Sequence, residues 1–413
     1  MDVFKFKVRQ AVVVCTFLLA AAAGCSRNVQ TDVFDTVYYE PEYAEGFEIA
    51  GMRDSLSRVL RTVHSWQGDD GAATEIFIAR GGERPPEGFT GQVMEGSAER
   101  VVAMSSSHIA MIDLVGETAR VKAVSGLEFI SNSHIREHSG EIADIGSEAG
   151  ADFEKLAAVR PDVVLLYGIT SSSPMEGRLR ELGIPFVYIG EYLEKIPLGR
   201  AEWMVAIAEI LGCREKGEAE FGKIRERYDS LAGFMRQYLA GTEGGVRTRP
   251  TVMLNAPYGD IWYMPPAESA MARLIKDAGA EYIYRENHTD KSLPIDFEKA
   301  FLLVSEADFW LNPGQFATIR ELTGRYPGFA GTGCVLEKKV YNCNRRVNSG
   351  GGNDFWESGP ARPDLVLGDL MKIFHPELAC GKEAALENGQ ERTGDGPGSP
   401  DGDDGLYYYM KLE

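Results

Sequence analysis

The chain has 413 residues, of which 44% are hydrophobic and 25% are charged, and its formal net charge at pH 7 is −19. This length exceeds what one ordinary hydrophobic core organises, so the sequence predicts two globular units with additional segments. The negative charge argues against nucleic acid as a partner, because affinity for phosphates requires a basic face.

The first 25 residues have the layout of a bacterial secretory signal. Basic residues at positions 5, 7 and 9 precede an apolar stretch over residues 11–23, which is too short to span a bilayer. The small residues before Cys25 resemble the lipobox of bacterial lipoproteins. This predicts an exported, periplasmic protein that is held at a membrane surface by lipid chains on Cys25. The alternative is an ordinary cleaved signal that leaves Cys25 as a free thiol.

Residues 26–98 are predicted to form a β-rich extension. Runs such as Glu75–Ala79 are rich in β-forming residues and are interrupted by pairs of glycine and proline. Residues 99–196 are then predicted to form an N-terminal α/β lobe. Apolar strands such as Arg100–Met104 alternate there with helical segments, as in a buried parallel sheet.

Residues 197–241 are predicted to connect the lobes through helices. Apolar residues recur at steps of three and four from about Glu215 to Leu239, which predicts one long helix with a narrow apolar stripe. At a rise of about 1.5 Å per residue, this helix could cross from one lobe to the other as a strut. Residues 242–380 again alternate strands with helices and are predicted to form a C-terminal lobe.

Residues 381–413 are predicted to form a disordered acidic tail. The stretch from Gly394 to Gly405 is rich in Gly, Pro, Asp and Ser, so it has too little apolar surface to bury. This composition does not explain the aromatic run over residues 406–410 that follows.

Four cysteines follow Cys25, and the sequence leaves their pairing open. In an oxidising compartment an even number suggests a disulfide. Cys334 and Cys343 flank one predicted strand, however, which is poor geometry for a bridge. Free buried thiols are therefore the favoured interpretation.

A repeated tetrapeptide indicates that the two lobes are similar. Asp-Phe-Glu-Lys occurs at residues 152–155 and again at 296–299, and each copy opens a short apolar helix that leads to a strand and a glycine loop. Four identical residues could recur by chance, but the same succession of elements after both copies could not easily do so. Two α/β lobes that face one another would enclose a cleft.

The order of elements from about Val101 to Leu378 resembles the periplasmic substrate-binding proteins of ABC importers for iron-siderophore complexes, cobalamin and haem. The segments that carry the resemblance are Arg100–Gly126, Asp152–Tyr167, Leu182–Ile189 and Asp354–Trp356 leading to His375-Pro376. The resemblance implies an α/β fold of two lobes joined by one long rigid helix, with the extension and the tail outside the family's core. It also implies a monomer without enzymatic activity or intrinsic cofactor, which captures a metal chelate and delivers it to an ABC permease dimer.

The resemblance assigns a role to one glutamate in each copy of the repeat. In that family each lobe exposes a glutamate that docks onto arginines of the permease, and the matching positions are Glu154 and Glu298. A pseudo-twofold protein needs the same charged contact on each lobe to sit squarely on a twofold transporter. The alternative is that both glutamates only complement the dipoles of their helices.

Ligand contacts are expected at strand ends that face the cleft. Serines at a helix start suit polar groups, exposed aromatics suit a large flat ligand, and arginines pair with carboxylate or catecholate oxygens. The candidates are Ser105, Ser106, Ser107, Tyr167, Tyr258, Trp262, Tyr263, Arg345, Arg346, Phe355 and Trp356. The alternatives are helix capping for the serines, core packing for the aromatics and exposure to solvent for one of the two arginines.

Two metal sites compete with this interpretation. His134, Glu137 and His138 fit the H-x-x-E-H pattern of one class of zinc peptidase, provided that the segment is helical. Small polar residues on both sides leave barely one turn, so a surface loop is the default. A bare metal ion held by these histidines and His108 is the other alternative, but the C-terminal lobe offers few histidines to complete such a site.

Overall fold

The computed structural model describes residues 33–63, 66, 73–168, 171–241, 247–259, 261–378 and 405–413. The predicted signal segment with Cys25 lies outside the described residues, as do residues 381–404 of the predicted tail. Within the described part of the chain, no helix has the length and hydropathy that crossing a membrane requires.

Strands and helices alternate along most of the described chain. The strands are, in chain order, β1 Thr36–Tyr39, β2 Phe47–Gly51, β3 Arg58–Thr62, β4 Thr74–Ala79, β5 Gln92–Glu95, β6 Val101–Ala103, β7 Val121–Val124, β8 Ala143–Asp144, β9 Val163–Leu166, β10 Phe186–Tyr188, β11 Thr251–Leu254, β12 Trp262–Met264, β13 Glu281–Tyr282, β14 Leu293–Ile295, β15 Phe309–Leu311, β16 Val340–Asn342 and β17 Met410–Lys411. The α-helices are α1 Ser106–Leu114, α2 Ser133–Glu137, α3 Phe153–Val159, α4 Glu176–Leu182, α5 Pro197–Ile210, α6 Arg214–Ala240, α7 Ala270–Asp277, α8 Phe297–Glu306, α9 Ile319–Arg325, α10 Gly333–Leu336, α11 Asp354–Glu357 and α12 Pro363–Phe374. The predicted α/β class is confirmed.

The strands of the described residues form three five-stranded sheets and one two-stranded sheet. The N-terminal sheet has the order β1-β2-β3-β4-β5 and is antiparallel except for the pair β4 and β5. The second sheet, β10-β9-β6-β7-β8, is parallel throughout. The third, β13-β11-β15-β16-β17, is parallel except for β17. We refer to residues 99–196, around the second sheet, as the N-terminal lobe and to residues 247–378, around the third, as the C-terminal lobe.

The repeated tetrapeptide opens equivalent helices in the two lobes. Asp152 caps α3 by accepting hydrogen bonds from the backbone N–H groups of Glu154 and Lys155, at 3.1 and 3.0 Å. Asp296 caps α8 in the same way through the N–H of Lys299 at 2.8 Å. The strand after α3 is β9, which pairs with β6. The strand after α8 is β15, which pairs with β11. In each sheet, this partner is the strand that comes first along the chain. The repeat therefore marks one helix and strand unit in each lobe.

The 27-residue helix α6 contacts both lobes. Near its start, Lys216 pairs with Glu117 of the N-terminal lobe at 3.0 Å. Farther along, the Tyr228 hydroxyl donates to Asp277 at the end of α7 in the C-terminal lobe, at 2.8 Å. The preceding helix α5 is buried along nearly its whole length, because it packs between α6, the N-terminal lobe and the N-terminal sheet.

Two carboxylates attach the N-terminal sheet to this buried helical layer. Glu202 of α5 is fully buried and accepts the backbone N–H groups of Glu42, Tyr43 and Ala44 at 2.8 to 2.9 Å. Glu194 accepts the N–H groups of Glu45 and Gly46 and the indole N–H of Trp203. A buried carboxylate with several N–H donors fixes a loop strongly, because each charge-assisted hydrogen bond replaces lost hydration.

The prediction of a disordered tail is wrong for residues 405–413. Strand β17 pairs with β16, and Tyr408, Tyr409 and Leu412 are fully buried. The Asp369 carboxylate of α12 accepts the N–H groups of residues 407–409 at 2.7 to 3.2 Å. The prediction extended the polar character of residues 394–405 to the residues after them. The aromatic residues at 407–409, however, bury enough apolar area to order this segment.

The lobes also contact each other directly beside α11. The Ser131 N–H donates to the Glu357 carboxyl at 2.7 Å, and the Asn348 side-chain amide donates to the Ile130 carbonyl at 2.9 Å. A Cβ atom at Gly352 would collide with the Phe129 carbonyl oxygen. Glycine there allows the two backbones to approach closely.

Candidate ligand-binding cavity

A cavity of about 640 Å³ lies between the two lobes and the N-terminal sheet. The N-terminal lobe and the first turn of α5 contribute residues between Gly190 and Arg200. The N-terminal sheet and its loops contribute Glu45, Gly46, Val63 and Trp66. The C-terminal lobe contributes the strand ends Leu254, Asn255 and Asn312, the segments 265–271 and 288–292, and residues on and after α11. The volume is within the range usual for small-molecule sites.

The wall from the N-terminal lobe follows strand β10. Tyr192 is half exposed on this wall, and Pro197 starts helix α5, which carries Arg200. The Arg200 guanidinium pairs with buried Glu191 at 2.7 Å. Attraction from Arg200 and a hydrogen bond from Ser107 hold the pKa of Glu191 below its usual range, although its burial acts in the opposite direction. Arg200 is thus partly neutralised before any ligand enters.

The floor from the C-terminal lobe consists of two asparagines at neighbouring strand ends. Asn255 follows β11 and Asn312 follows β15, and their φ angles are 66° and 56°. Asparagine tolerates this left-handed conformation better than most residues. Both side chains line the cavity at the carboxyl edge of a parallel sheet, where ligands of α/β folds usually bind.

Phe355 and Trp356 are the two sequence candidates that line the cavity. The Asn353 side chain caps helix α11 by accepting the Phe355 N–H at 3.0 Å, which orients both rings. Trp356 is 58% exposed and Phe355 is buried, and their ring planes meet almost at right angles, with the centroids 4.8 Å apart. The exposed indole gives an apolar ligand a flat surface for stacking.

The three serines lie after β6, as predicted, but they are not among the residues that line the cavity in the described chain. Ser107 is buried and donates to Glu191 at 2.7 Å, and the Ser105 and Ser107 hydroxyls bond each other at 2.8 Å. Tyr167 packs against the apolar cluster of the N-terminal lobe. The hydroxyls of Ser105 and Ser107 are thus engaged within the lobe.

Three aromatic candidates near β12 are also separate from the described cavity lining. Trp262 is 1% exposed in the core of the C-terminal lobe and donates its indole N–H to the Leu254 carbonyl at 2.9 Å. Tyr258 and Tyr263 are exposed on the surface. The core-packing alternative therefore describes Trp262.

The two candidate arginines hold the C-terminal strand. Arg345 donates to the Tyr409 carbonyl at 2.6 Å. Arg346 pairs with Asp354, and its guanidinium lies 4.5 Å from the Tyr407 ring centroid. Neither arginine is among the described residues that line the cavity. Sequence reasoning missed this because it treated the tail as disordered.

The His134 segment forms one helical turn, α2, rather than the predicted loop. The His134 and His138 rings stack with their centroids 4.2 Å apart, and the His138 Nδ1 lies 2.9 Å from the His134 carbonyl oxygen. The described residues contain no group of three or more His, Cys, Asp or Glu side chains that could hold a metal ion. Cys213, Cys334 and Cys343, which the structure describes, are free thiols.

The family model described as periplasmic binding protein matches residues 101–346, which is more than half of the chain. The chain belongs to the periplasmic binding protein family. The predicted family resemblance is therefore confirmed.

Individual relatives of this periplasmic binding protein are distant. An uncharacterized lipoprotein of Methanocaldococcus jannaschii is 25% identical over 69% of this chain and 67% of its own length. A periplasmic haem-binding protein of Pseudomonas aeruginosa is 17% identical, with a TM-score of 0.52 over 68% of this chain and 93% of that chain. A periplasmic binding protein of Veillonella parvula is 12% identical, with a TM-score of 0.53 over 78% and 99% of the two chains. These structures share the fold.

Sequence reasoning missed most of the cavity lining. Tyr192 and Lys195 follow a predicted strand, so the strand-end rule could have identified them. The same rule applies to Asn312, which stands at the end of the second repeat unit. Glu45 and Val63 carry no such signal, because only the folded N-terminal sheet brings them to the cavity.

Glu154 and Glu298 lie in the first turns of α3 and α8, and both are exposed. Among the described residues, neither carboxylate takes part in an ion pair, whereas the N-caps are Asp152 and Asp296. The helices therefore do not depend on either glutamate for capping.

Proposed function

We propose that this periplasmic binding protein is the exported, lipid-anchored solute-binding component of an ABC importer. It captures a metal chelate, namely a ferric siderophore, a corrinoid or haem, and delivers it unchanged to the permease dimer. Family membership supports the solute-binding role. The lipoprotein name of the M. jannaschii relative and the sequence around Cys25 support anchoring by lipid.

The cavity between the lobes is the observation that carries this proposal. Its aromatic side chains, Trp66, Tyr192, Phe355 and Trp356, stand near several prolines and two amide groups. Such a lining suits a ligand with a large apolar face and a few polar substituents. Metal chelates wrapped in an organic scaffold have this character.

Contacts between the lobes support capture by a largely preformed cavity. Helix α6 bonds to both lobes, and the contacts of Ser131 with Glu357 and of Ile130 with Asn348 join them beside α11. We infer that ligand binding moves the lobes by only a few degrees, so little affinity is lost to reorganisation. Release then requires the transporter to separate the lobes.

Glu154 and Glu298 are the proposed contacts to the permease. Each is exposed in the first turn of the equivalent helix of its lobe, and no helix cap depends on it. Force applied through both carboxylates would act on the two lobes separately, which is what opening the cavity demands.

Ligand binding by the purified full chain tests the proposal. Isothermal titration with a ferric trihydroxamate, a corrinoid and haem should give saturable one-to-one binding for at least one chelate. The Trp356→Ala variant should bind that chelate about tenfold more weakly, because it loses an aromatic contact. Tyr258→Ala is the matched control, since this exposed ring lies away from the described lining. Failure to bind any of the three chelates, or equal losses in both variants, would contradict the proposal.

A further inference from the structure

The cavity carries an excess of negative charge. Four carboxylates line it, those of Glu45, Glu194, Glu268 and Asp290, against the two cations Lys195 and Arg200. Glu194 is buried, which raises its pKa, yet the three exposed carboxylates still outnumber the cations when Glu194 is neutral. Arg200 is in addition paired with Glu191. A cleft with an excess of one sign of charge repels ligands of that sign.

A second observation at the cavity floor concerns hydrogen bonding. Asn312 is 8% exposed, and the Tyr409 hydroxyl lies beside its side chain. Among the described residues, however, no group donates a hydrogen bond to the buried Asn312 Oδ1. A buried acceptor that lacks a donor costs free energy until a donor arrives. The ligand of this cavity is therefore expected to bring an N–H or O–H group to Asn312.

The N-terminal sheet supplies one of the charges. Glu45 lies on the loop before β2, and its backbone N–H is held by Glu194 at 3.0 Å. Glu194 itself lines the cavity, so one buried carboxylate both fixes the loop and faces the ligand space. The sheet is thus a third wall of the cavity, and Glu194 of the N-terminal lobe holds its loop in place.

We propose that this cavity selects metal chelates that have no net negative charge and that carry amide or ammonium N–H donors, such as hydroxamate siderophores and corrinoids. The inference rests on the proposed function and narrows its ligand class. Glu45, Glu268 and Asp290 exclude ferric tris-catecholates and the dicarboxylate haem by repulsion, and Asn312 receives a donor from the accepted chelate. Specificity of this kind uses an element that disfavours the wrong ligand.

A charge series of chelates tests the proposal with the full chain. The probes are a ferric trihydroxamate with a free ammonium group, its N-acetylated neutral form, a ferric tris-catecholate, haem and a neutral corrinoid. Titrations at low and high salt should show the cationic trihydroxamate or the corrinoid binding most tightly, and the anionic chelates at least about tenfold more weakly. Added salt should weaken binding of the cationic chelate relative to its neutral form.

Variants test whether the preference for cationic chelates comes from the carboxylates of the cavity or from the net negative charge of the whole protein. The triple variant E45Q/E268Q/D290N should reduce the preference for cationic over anionic chelates by about tenfold. Glu95→Gln removes one exposed carboxylate from β5 of the same N-terminal sheet, away from the described lining, and should leave the preference unchanged. Equal effects of E95Q and the E45Q single variant would overturn the proposal.

The acceptor at the cavity floor is tested by two substitutions that both tolerate a φ of 56°. Asn312→Gly removes the acceptor and should weaken binding of the preferred chelate by about fivefold, whereas Asn312→Asp keeps an acceptor oxygen and should retain binding. Tighter binding of the tris-catecholate or haem than of every uncharged or cationic probe would refute this inference and leave the proposed function standing. Absence of binding by all probes would refute both.

Discussion

The two lobes present their central strand ends in different ways. In the C-terminal lobe, Asn255 and Asn312 follow β11 and β15 and line the cavity. In the N-terminal lobe, Ser107 and Tyr167 follow the equivalent strands β6 and β9, and they are not among the described lining residues. Equivalent topology therefore does not bring equivalent contact with the cavity.

In the N-terminal lobe, a buried carboxylate lies beyond the strand ends. Glu191 occupies the space beyond its strand ends, where it accepts the Ser107 hydroxyl and pairs with Arg200. His108 is completely buried nearby, and burial lowers its pKa to about 4, so its imidazole is neutral at physiological pH. The lobe therefore contributes to the cavity through Tyr192 instead. The two lobes keep the same helix and strand units, whereas the side chains at their strand ends determine which residues of each lobe reach the cavity.

The largest effect on uptake should come from Glu154 and Glu298, which lie on equivalent helices of the two lobes. Reversing the charge at both proposed docking positions, E154K with E298K, should abolish uptake by cells that carry the matching permease, because both proposed contacts to permease arginines would become repulsive. Each single variant should lose uptake to a similar degree if the lobes dock symmetrically. Uptake of a radiolabelled chelate measures this, with chelate affinity as a parallel readout that should not change.

Glu306→Lys is the matched control for docking. It places the same charge change at the last residue of α8, where a cation suits the helix dipole. Uptake should remain normal in this variant. If E306K impairs uptake as much as E298K, or if the double variant transports normally, the symmetric docking role is wrong.

The edge strand β17 should contribute strongly to the stability of the C-terminal lobe. Tyr409 is fully buried beside the edge strand β17 of the C-terminal lobe, so Tyr409→Ala should reduce the free energy of unfolding by about 3–5 kcal/mol. Tyr409→Phe is the control, because it keeps the buried ring and removes only the hydroxyl beside Asn312, so it should cost no more than about 1 kcal/mol. Urea unfolding measures both variants. A neutral Y409A would mean that the terminal strand does not stabilise the lobe.

Local patterns in the sequence predicted the repeated helix and strand units and the long helix between the lobes. The capping Asp152 and Asp296, with the apolar helices after them, carry their structure within a few residues, so the repeat was recognisable. The long helix α6 was likewise evident from the period of its apolar residues. These features depend on contacts between near neighbours in the chain.

Other features could not be predicted because they depend on distant partners. Strand β17 is ordered by Asp369 and by β16, about 40 and 70 residues earlier. Arg345 and Arg346 therefore serve the tail rather than the cavity. The strand-end rule placed Ser107 and Tyr167 correctly at strand ends, but it could not show that Glu191, 84 residues after Ser107, accepts the Ser107 hydroxyl.

The free energy of unfolding should fall as pH rises, because Glu357, at the contact between the lobes, is buried and its ionisation is unfavourable there. Burial raises the pKa of Glu357 to about 8, from an ordinary 4.5, although the Ser131 N–H acts in the opposite direction. A raised carboxyl pKa contributes stability that is complete below pH 4.5 and is lost as pH increases to about 8.

Comparison with Glu357→Gln isolates this effect. Glutamine cannot ionise, so the free energy of unfolding of the variant should rise relative to that of the natural chain by about 4 kcal/mol between pH 5 and pH 8.5. Urea unfolding at both pH values gives the difference, and the value at pH 5 serves as the internal reference. A constant difference between the two proteins would show that Glu357 does not titrate in this range.

The smallest effect should come from the closed strand end of the N-terminal lobe. Ser107→Ala removes one hydrogen bond to Glu191 and should reduce the free energy of unfolding by about 1 kcal/mol. Because Ser107 lies outside the described lining, chelate affinity should stay within about twofold of its original value. Titration calorimetry and urea unfolding separate the two readouts. A large loss of affinity at unchanged stability would mean that Ser107 contacts the ligand, and the two lobes would then use their strand ends alike.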